Sequence, residues 1–177
     1  LIGEGFDVAI RISALQDSSL IARRLAPFRV VVCAAPELIA ERGAPETPED
    51  LRSLPCVIDT NLANRATWTF DHDAGKSHVA VSGRVVVNGA NAVRNAALLG
   101  LGFARVPHAA VADAIADGRL HTVLDAYEPR DRGVYAVYPH RRHLGRKTRA
   151  FVDHMVAWFQ AAAATGACDD HTPAPVR

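Results

Sequence analysis

Between Gly83 and Pro107 the chain reads GRVVVNGANAVRNAALLGLGFARVP, an apolar run, a small polar turn, an amphipathic stretch, a Gly-rich stop and a second apolar run. The pattern predicts one strand, helix, strand unit. Val85, Val86 and Val87 are β-branched neighbours suited to a buried strand, and Asn88, Gly89, Ala90 and Asn91 break the run. Val93, Ala96, Ala97 and Leu99 to Leu101 then supply apolar positions at helical spacing, while Arg94 and Asn95 face out. Gly100 and Gly102 end that helix, and Phe103, Ala104 and Val106 form a second strand closed by Pro107.

The remaining chain carries the same two periodicities. FDVAIRI, residues 6–12, alternates Phe6, Val8, Ile10 and Ile12 on one face with Asp7, Ala9 and Arg11 on the other, which predicts a strand. Ser13 to Ser19 reads as a polar loop, and Leu20 to Pro27 as a lead into a doubly buried strand over Phe28 to Ala35. Pro36 opens a two-turn helix that Gly43 stops, and Thr47 caps a short helical turn that starts at Pro48. Pro55 to Thr60 and Ala66 to Phe70 read as strands, followed by a polar turn over His72 to Ser77. His78 to Val87 reads as one strand with a bulge at Gly83. Pro107 to Asp117 predicts an amphipathic helix with Val111, Ala114 and Ile115 inward and Gly118 as its stop. Short strands follow over His121 to Leu124 and Gly133 to Tyr138. The longest helix runs from Leu144 to about Ala163, with Phe151, Met155, Trp158 and Phe159 on its buried stripe.

Alternating strands and helices predict an α/β protein with largely parallel sheets. Two long strands, Phe28 to Ala35 and Gly133 to Tyr138, bracket a middle segment of about a hundred residues, enough for a small lobe. The expected division is therefore residues 1–35 with 133–165 in one lobe and 36–132 in the other. Residues 166–177, Pro-rich and polar, read as a disordered tail.

Composition narrows the classes further. Of 177 residues, 49% are hydrophobic and 22% charged, a globular profile, and the net charge of +1 gives no general attraction to nucleic acid or membrane. Cys33, Cys56 and Cys168 are odd in number, widely spaced and without a CxxC pair, which argues against a disulfide framework or zinc knuckle and for a reducing compartment. No apolar run reaches the ~20 residues of a membrane span. The chain opens at Leu1 without a Met or leader, which reads as a fragment.

Candidate chemistry concentrates at the start of the helix after Val87. Its free backbone N–H groups carry partial positive charge, and Asn88 to Asn91 have no bulk to keep a ligand carboxylate away. The competing reading is an ordinary capped helix with nothing bound. His140 and His143 in PHRRH have a metal-compatible spacing, but Arg141, Arg142 and Arg146 repel a cation. With Lys147 and Arg149 the same run reads as a solvated basic loop rather than a phosphate contact. No Ser or Cys occupies an elbow such as GxSxG, and His72, Asp73 and His121 assemble no triad in the sequence, so no catalysis is expected.

Four segments together resemble the effector-binding domain of LysR-type transcriptional regulators: GEGFDVAIRISALQDSSLIARRL, VVVCAAPELIAERGAPETPEDL, VVVNGANAVRNAALLGLGFARVP and VYAVYPHRRHLGRKTRAFVDHMVAWF. The resemblance implies a periplasmic-binding-protein-like (type II) fold of two α/β lobes with mostly parallel sheets, the first lobe incomplete. It implies a small organic effector, the helix start and Arg11 suggest that this effector is an anion, and no cofactor, metal or membrane is expected. The effector contacts it implies are Arg11, Ser13, Asn88, Gly89, Ala90 and Asn91. Arg11 and Ser13 close the FDVAIRI strand and offer a guanidinium and a hydroxyl, though Arg11 also reads as a plain surface charge. Family members begin with a helix-turn-helix domain, through which DNA would be bound, and form homo-oligomers in the cytoplasm. Nothing in this chain matches that domain, nor the first strands of lobe one and the helix between them. Their absence is expected to leave an unpaired edge and to bare the Phe6, Val8, Ile10, Ile12 face. A solute-binding protein of a transport system on the same fold is the alternative reading.

Overall fold

The computed structural model describes residues 6–14, 20–62, 64–139 and 145–164. In chain order its strands are β1 (Ala9–Ala14), β2 (Leu20–Pro27), β3 (Val30–Ala34), β4 (Pro55–Asp59), β5 (Thr67–His72), β6 (Gly75–Ala80), β7 (Ser82–Val87), β8 (Phe103–Pro107), β9 (His121–Val123) and β10 (Arg132–Pro139). The helices are α1 (Pro36–Arg42), α2 (Ala90–Leu98), α3 (His108–Ala116) and α4 (Arg146–Ala164), with 3-10 turns at Pro48–Arg52 and Asp125–Tyr127. Two compact units divide the chain: Leu1–Phe28 with Asp131–Arg177, and Arg29–Arg130. The strand over residues 30–34 pairs within the second unit, whereas the sequence pattern grouped it with the first.

The first unit is a three-stranded sheet in the order β1, β10, β2 with α4 on one face. Both pairings are antiparallel. Ala136 and Tyr138 of β10 pack with Val152 of α4, and Val8, Ile21 and Leu25 complete that small core. Two expectations are corrected here. Leu20 to Pro27 is a strand in its own right, its Arg23 and Arg24 exposed on an edge where charge is tolerated. On α4, Phe151 and Trp158 are 41% and 54% exposed, while Val152 is buried and Met155 and Phe159 are half-buried. Only one narrow stripe of this helix meets a sheet three strands wide, so the flanking aromatics stay out.

The second unit holds a five-stranded sheet in the order β7, β4, β8, β3, β9, and a separate hairpin of β5 and β6. Only β4 with β7 and β4 with β8 are parallel; the other described pairings are antiparallel. The expectation of mostly parallel sheets is therefore corrected: α/β alternation shapes the β7, α2, β8 crossover, but β3 enters antiparallel to both its neighbours. One sheet face is packed by α2 and α3, with Val31, Cys33, Val57, Val93, Ala97, Val106 and Val111 in its core. The other face buries Leu38, Leu51, Ile58, Trp68, Phe70, Val79 and Phe103 beneath α1, the first 3-10 turn and the hairpin.

Local sequence explains the joints. Pro36 occupies the first turn of α1, and Gly43 ends it at φ 84°. The carboxylate of Asp50 accepts the Thr47 N–H at 2.8 Å and the Glu46 N–H at 3.0 Å, which holds its pKa below the usual range. The single strand expected over His78 to Val87 is two strands in two sheets, parted at Val81, whose N–H bonds Ala66 O at 2.8 Å. The bulge at Gly83 is present: register slips by one residue between Pro55 with Ser82 and Val57 with Val85. Leu99 and Leu101, expected on the apolar helix face, lie past the end of α2 and are 74% and 48% exposed. Arg94, expected to face out, is half-buried and paired with Asp113 of α3.

A fork-shaped ion pair closes the second unit. Arg29 Nε and one terminal nitrogen donate to the two oxygens of Glu128 at 3.0 and 2.7 Å, joining residues 99 apart in sequence. Glu128 is buried at 9% exposure, so leaving Arg29 without its charge partner is costly. Glu128→Gln is expected to lower stability by about 2 kcal/mol, read as a shifted midpoint in urea. An unchanged midpoint would place the pair among the negligible ones.

Candidate functional site

The carboxyl ends of the parallel strands β4, β7 and β8 lie at one edge of the second unit's sheet, the edge where open α/β sheets take ligands. The β4 run ends in Asp59, buried at 8% exposure. Its Oδ1 accepts the Asn61 N–H at 2.9 Å and the Gly89 N–H at 3.0 Å. Thr60 ties the same corner to β7, its N–H bonding Val87 O at 2.9 Å and its hydroxyl the same oxygen at 3.2 Å. One acidic side chain thus locks the loop after β4 to the start of α2.

Gly89 has φ 95° and ψ 153°, a backbone region that L residues rarely adopt, which is why glycine stands at this turn. No side chain caps α2. Asn88 and Asn91 are exposed, and Gly89 and Ala90 are half-exposed. The four residues Asn88 to Asn91 therefore form an accessible corner at a helix N-terminus. The bare helix start expected from the sequence is present, but the brace beneath it was not anticipated. Asp59 was missed although a signal existed, an apolar strand that breaks off in an acidic residue followed by Thr and Asn.

Arg11 sits in mid-strand on β1, opposite Tyr135, and is exposed. Ser13 is also within β1 rather than in a loop, and its side chain lies outside the described residues. These two belong to the first unit and the corner at residues 88–91 to the second. A buried Arg105 in the middle of β8, opposite Val32 and 9% exposed, also escaped the sequence reading. His140 and His143, residues 15–19 and the tail over 166–177 lie outside the described residues.

Elsewhere a serine and a histidine do meet. His72 Nε2 lies 2.5 Å from Ser77 Oγ across the β5, β6 hairpin, and its ring stands edge-on to Tyr127 at 5.1 Å. The neighbouring acid, Asp71, instead accepts the Arg130 N–H at 2.9 Å, so the pair is a cross-strand bond rather than part of a triad.

The cysteine chemistry is equally quiet. Burial pushes the thiols of Cys33 and Cys56 up to about 12 from an ordinary 9.0. At pH 8 both thiols of the folded chain therefore stay protonated. Alkylation of Cys33 and Cys56 is therefore expected only after unfolding, which peptide mass mapping would detect. The linkage has a definite sign. An unfolded chain ionises these thiols first, so their contribution to stability is intact below about pH 9 and falls progressively as pH rises toward 12.

Among the described residues no helix is long and apolar enough to cross a membrane. The profile of the LysR substrate binding domain matches residues 1–160. The transcriptional regulator PtxR of Pseudomonas aeruginosa is 34% identical over 155 residues, covering 88% of this chain and 50% of its own. The regulatory domain of AphB from Vibrio vulnificus superposes with a TM-score of 0.71 at 31% identity, covering 86% of this chain and 75% of that one. Full-length AphB of Vibrio cholerae, a virulence activator, gives 0.71 at 26% identity, over 87% of this chain and 52% of that one. The chain thus spans about half the length of the curated relatives it matches. These relatives are regulators rather than transport proteins, which sets the alternative of a transport system's solute-binding protein aside. With the family match running across nearly all of its described strands and helices, the chain belongs to the LysR substrate-binding domain family and is an effector-binding domain of the periplasmic-binding-protein-like type II fold.

Proposed function

We propose that this domain senses a small organic anion for a DNA-binding regulator of transcription, with Asn88, Gly89, Ala90 and Asn91 as effector contacts and Arg11 and Ser13 as further ones. The observation that carries the reading is the uncapped, accessible start of α2, held open by the bond from Gly89 N–H to buried Asp59. Those N–H groups favour negative charge without forming a covalent intermediate, as suits a sensor rather than an enzyme. DNA would be engaged through a separate N-terminal domain of the whole protein, acting as a homo-oligomer in the cytoplasm. The effector would shift the population of two conformations by its differential affinity for them, and promoter binding would follow. An aromatic acid, a sugar acid and an acylated amino acid all carry the required carboxylate.

Asn91→Asp tests this reading because its two effects have opposite signs. A carboxylate in the first turn of α2 is expected to stabilise the domain by about 0.5 kcal/mol through the helix dipole. The same charge should weaken binding of an anionic effector about tenfold by repulsion. Titration with a panel of organic acids, followed by the amide signals of residues 88–92, would read both. A panel in which no acid moves those signals, or an Asn91→Asp chain that binds as well as the parent, would end the proposal.

A further inference from the structure

The acid that braces the α2 corner uses only one of its two oxygens. Asp59 ends β4 at 8% exposure, and its Oδ1 takes both N–H groups that reach it, from Asn61 at 2.9 Å and from Gly89 at 3.0 Å. Those two bonds turn the carboxylate toward the turn where α2 begins. Its other oxygen, Oδ2, has no hydrogen-bond partner among the described residues, and it is not sealed from solvent. The Asn61 side chain is close by, its Nδ2 3.7 Å from where a Cβ on Gly89 would stand, yet it makes no bond to that oxygen. Acceptor capacity is thus left over beside the helix start, since a carboxylate offers about four lone-pair positions.

The unused oxygen changes what the corner accepts. A ligand carboxylate drawn to the N–H groups of α2 comes beside an acceptor of its own sign, and the two repel. A hydrogen-bond donor next to the ligand's carboxylate reverses that contact: the donor meets Oδ2 while the carboxylate stays on the helix start. An acceptor in a residue this buried has little water to satisfy it, so a ligand donor is gained at small desolvation cost.

We propose that the effector is a carboxylic acid with a hydroxyl or amide N–H on the carbon next to its carboxylate, and that Asp59 Oδ2 accepts that hydrogen bond. The proposal rests on the effector reading of residues 88–91 and narrows it. Of the acids that carry the required carboxylate, a sugar acid and an acylated amino acid fit, and an aromatic acid without such a donor does not.

Two matched pairs of monoanions test the proposal, each titrated into the full chain and followed at the amide signals of residues 88–92. Glycolate against propionate exchanges a hydroxyl for a methyl, and N-acetylglycine against levulinate exchanges an N–H for a methylene. In at least one pair the donor-bearing acid is expected to bind about tenfold or more tightly, and the pair with the larger gap identifies hydroxyl or amide as the donor. Asp59→Asn keeps a carbonyl oxygen for the Asn61 and Gly89 N–H groups but turns the unused acceptor into a donor, so the gap should close. Asn91→Asp should weaken all four acids alike and leave each gap intact. Equal binding within both pairs, or a gap that survives Asp59→Asn, would overturn the assignment while leaving the corner as an anion site. Silence of all four acids at those signals would instead overturn the effector reading, and this inference with it.

Discussion

The purified 177-residue chain is expected to self-associate, with an apparent size that grows with concentration on size-exclusion chromatography. The cause is the free side of β1. That strand pairs only with β10 among the described strands, leaving one row of backbone N–H and C=O groups open to another chain. Ile10 and Ile12, on the side toward α4, are 42% and 52% exposed, and Phe6 ahead of β1, at 60%, and Phe151 of α4 add two more exposed apolar side chains. Of Phe6, Val8, Ile10 and Ile12, Val8 alone is partly covered, by the small core around Val152. Burying half of an isoleucine side chain is worth about 1 kcal/mol, so several together favour association at micromolar concentration. Ile12→Lys is expected to weaken self-association about tenfold while leaving secondary structure unchanged. A sharp monomer peak that does not move over a hundredfold range of loading would refute the expectation.

Gly83→Ala is expected to be the most damaging small substitution. A Cβ there would land on the carbonyl oxygen of Cys56, in the neighbouring strand β4, and backbone cannot swing aside as a side-chain tip can. The β4, β7 pairing would have to part at its bulge, with a cost of about 3–5 kcal/mol. Thermal unfolding should then move down by roughly 10 °C. Gly43→Ala is the control: its φ of 84° carries strain, but no atom lies within 4 Å of the added methyl. It should cost about 1 kcal/mol. Equal losses for the two variants would show that steric approach at Cys56 is not what requires the glycine.

Several elements were legible because their signals are local. Pro36 to Gly43, the capped turn at Thr47 and β8 appear within a residue or two of their expected places, and α2 follows β7 as expected although it stops short of Leu99 to Leu101. Proline geometry, glycine at positive φ and β-branched runs act over a few residues, so a linear reading captures them. Misreadings arose where a neighbour decided. Leu20 to Pro27 has polar Arg23 and Arg24 in its middle, and only the ladder to β10 makes it a strand. His78 to Val87 is apolar enough for one strand, yet its halves find partners in different sheets. Phe151, Met155 and Trp158 lie at helical spacing with one another, but the buried line of the helix runs through Val152, and exposure depends on how wide a surface faces the helix.

The chain by itself determined its class of fold, the order of its elements and the bare helix start at Asn88 to Asn91. Periodicity and turn chemistry are properties of neighbours in sequence. Only the tertiary structure decided which strands run antiparallel, that Asp59 braces Gly89 from 30 residues away, and that Arg11 and Arg24 share a face. Those outcomes depend on register between distant segments, and a shift of one residue would turn each of these side chains to the opposite side of its sheet.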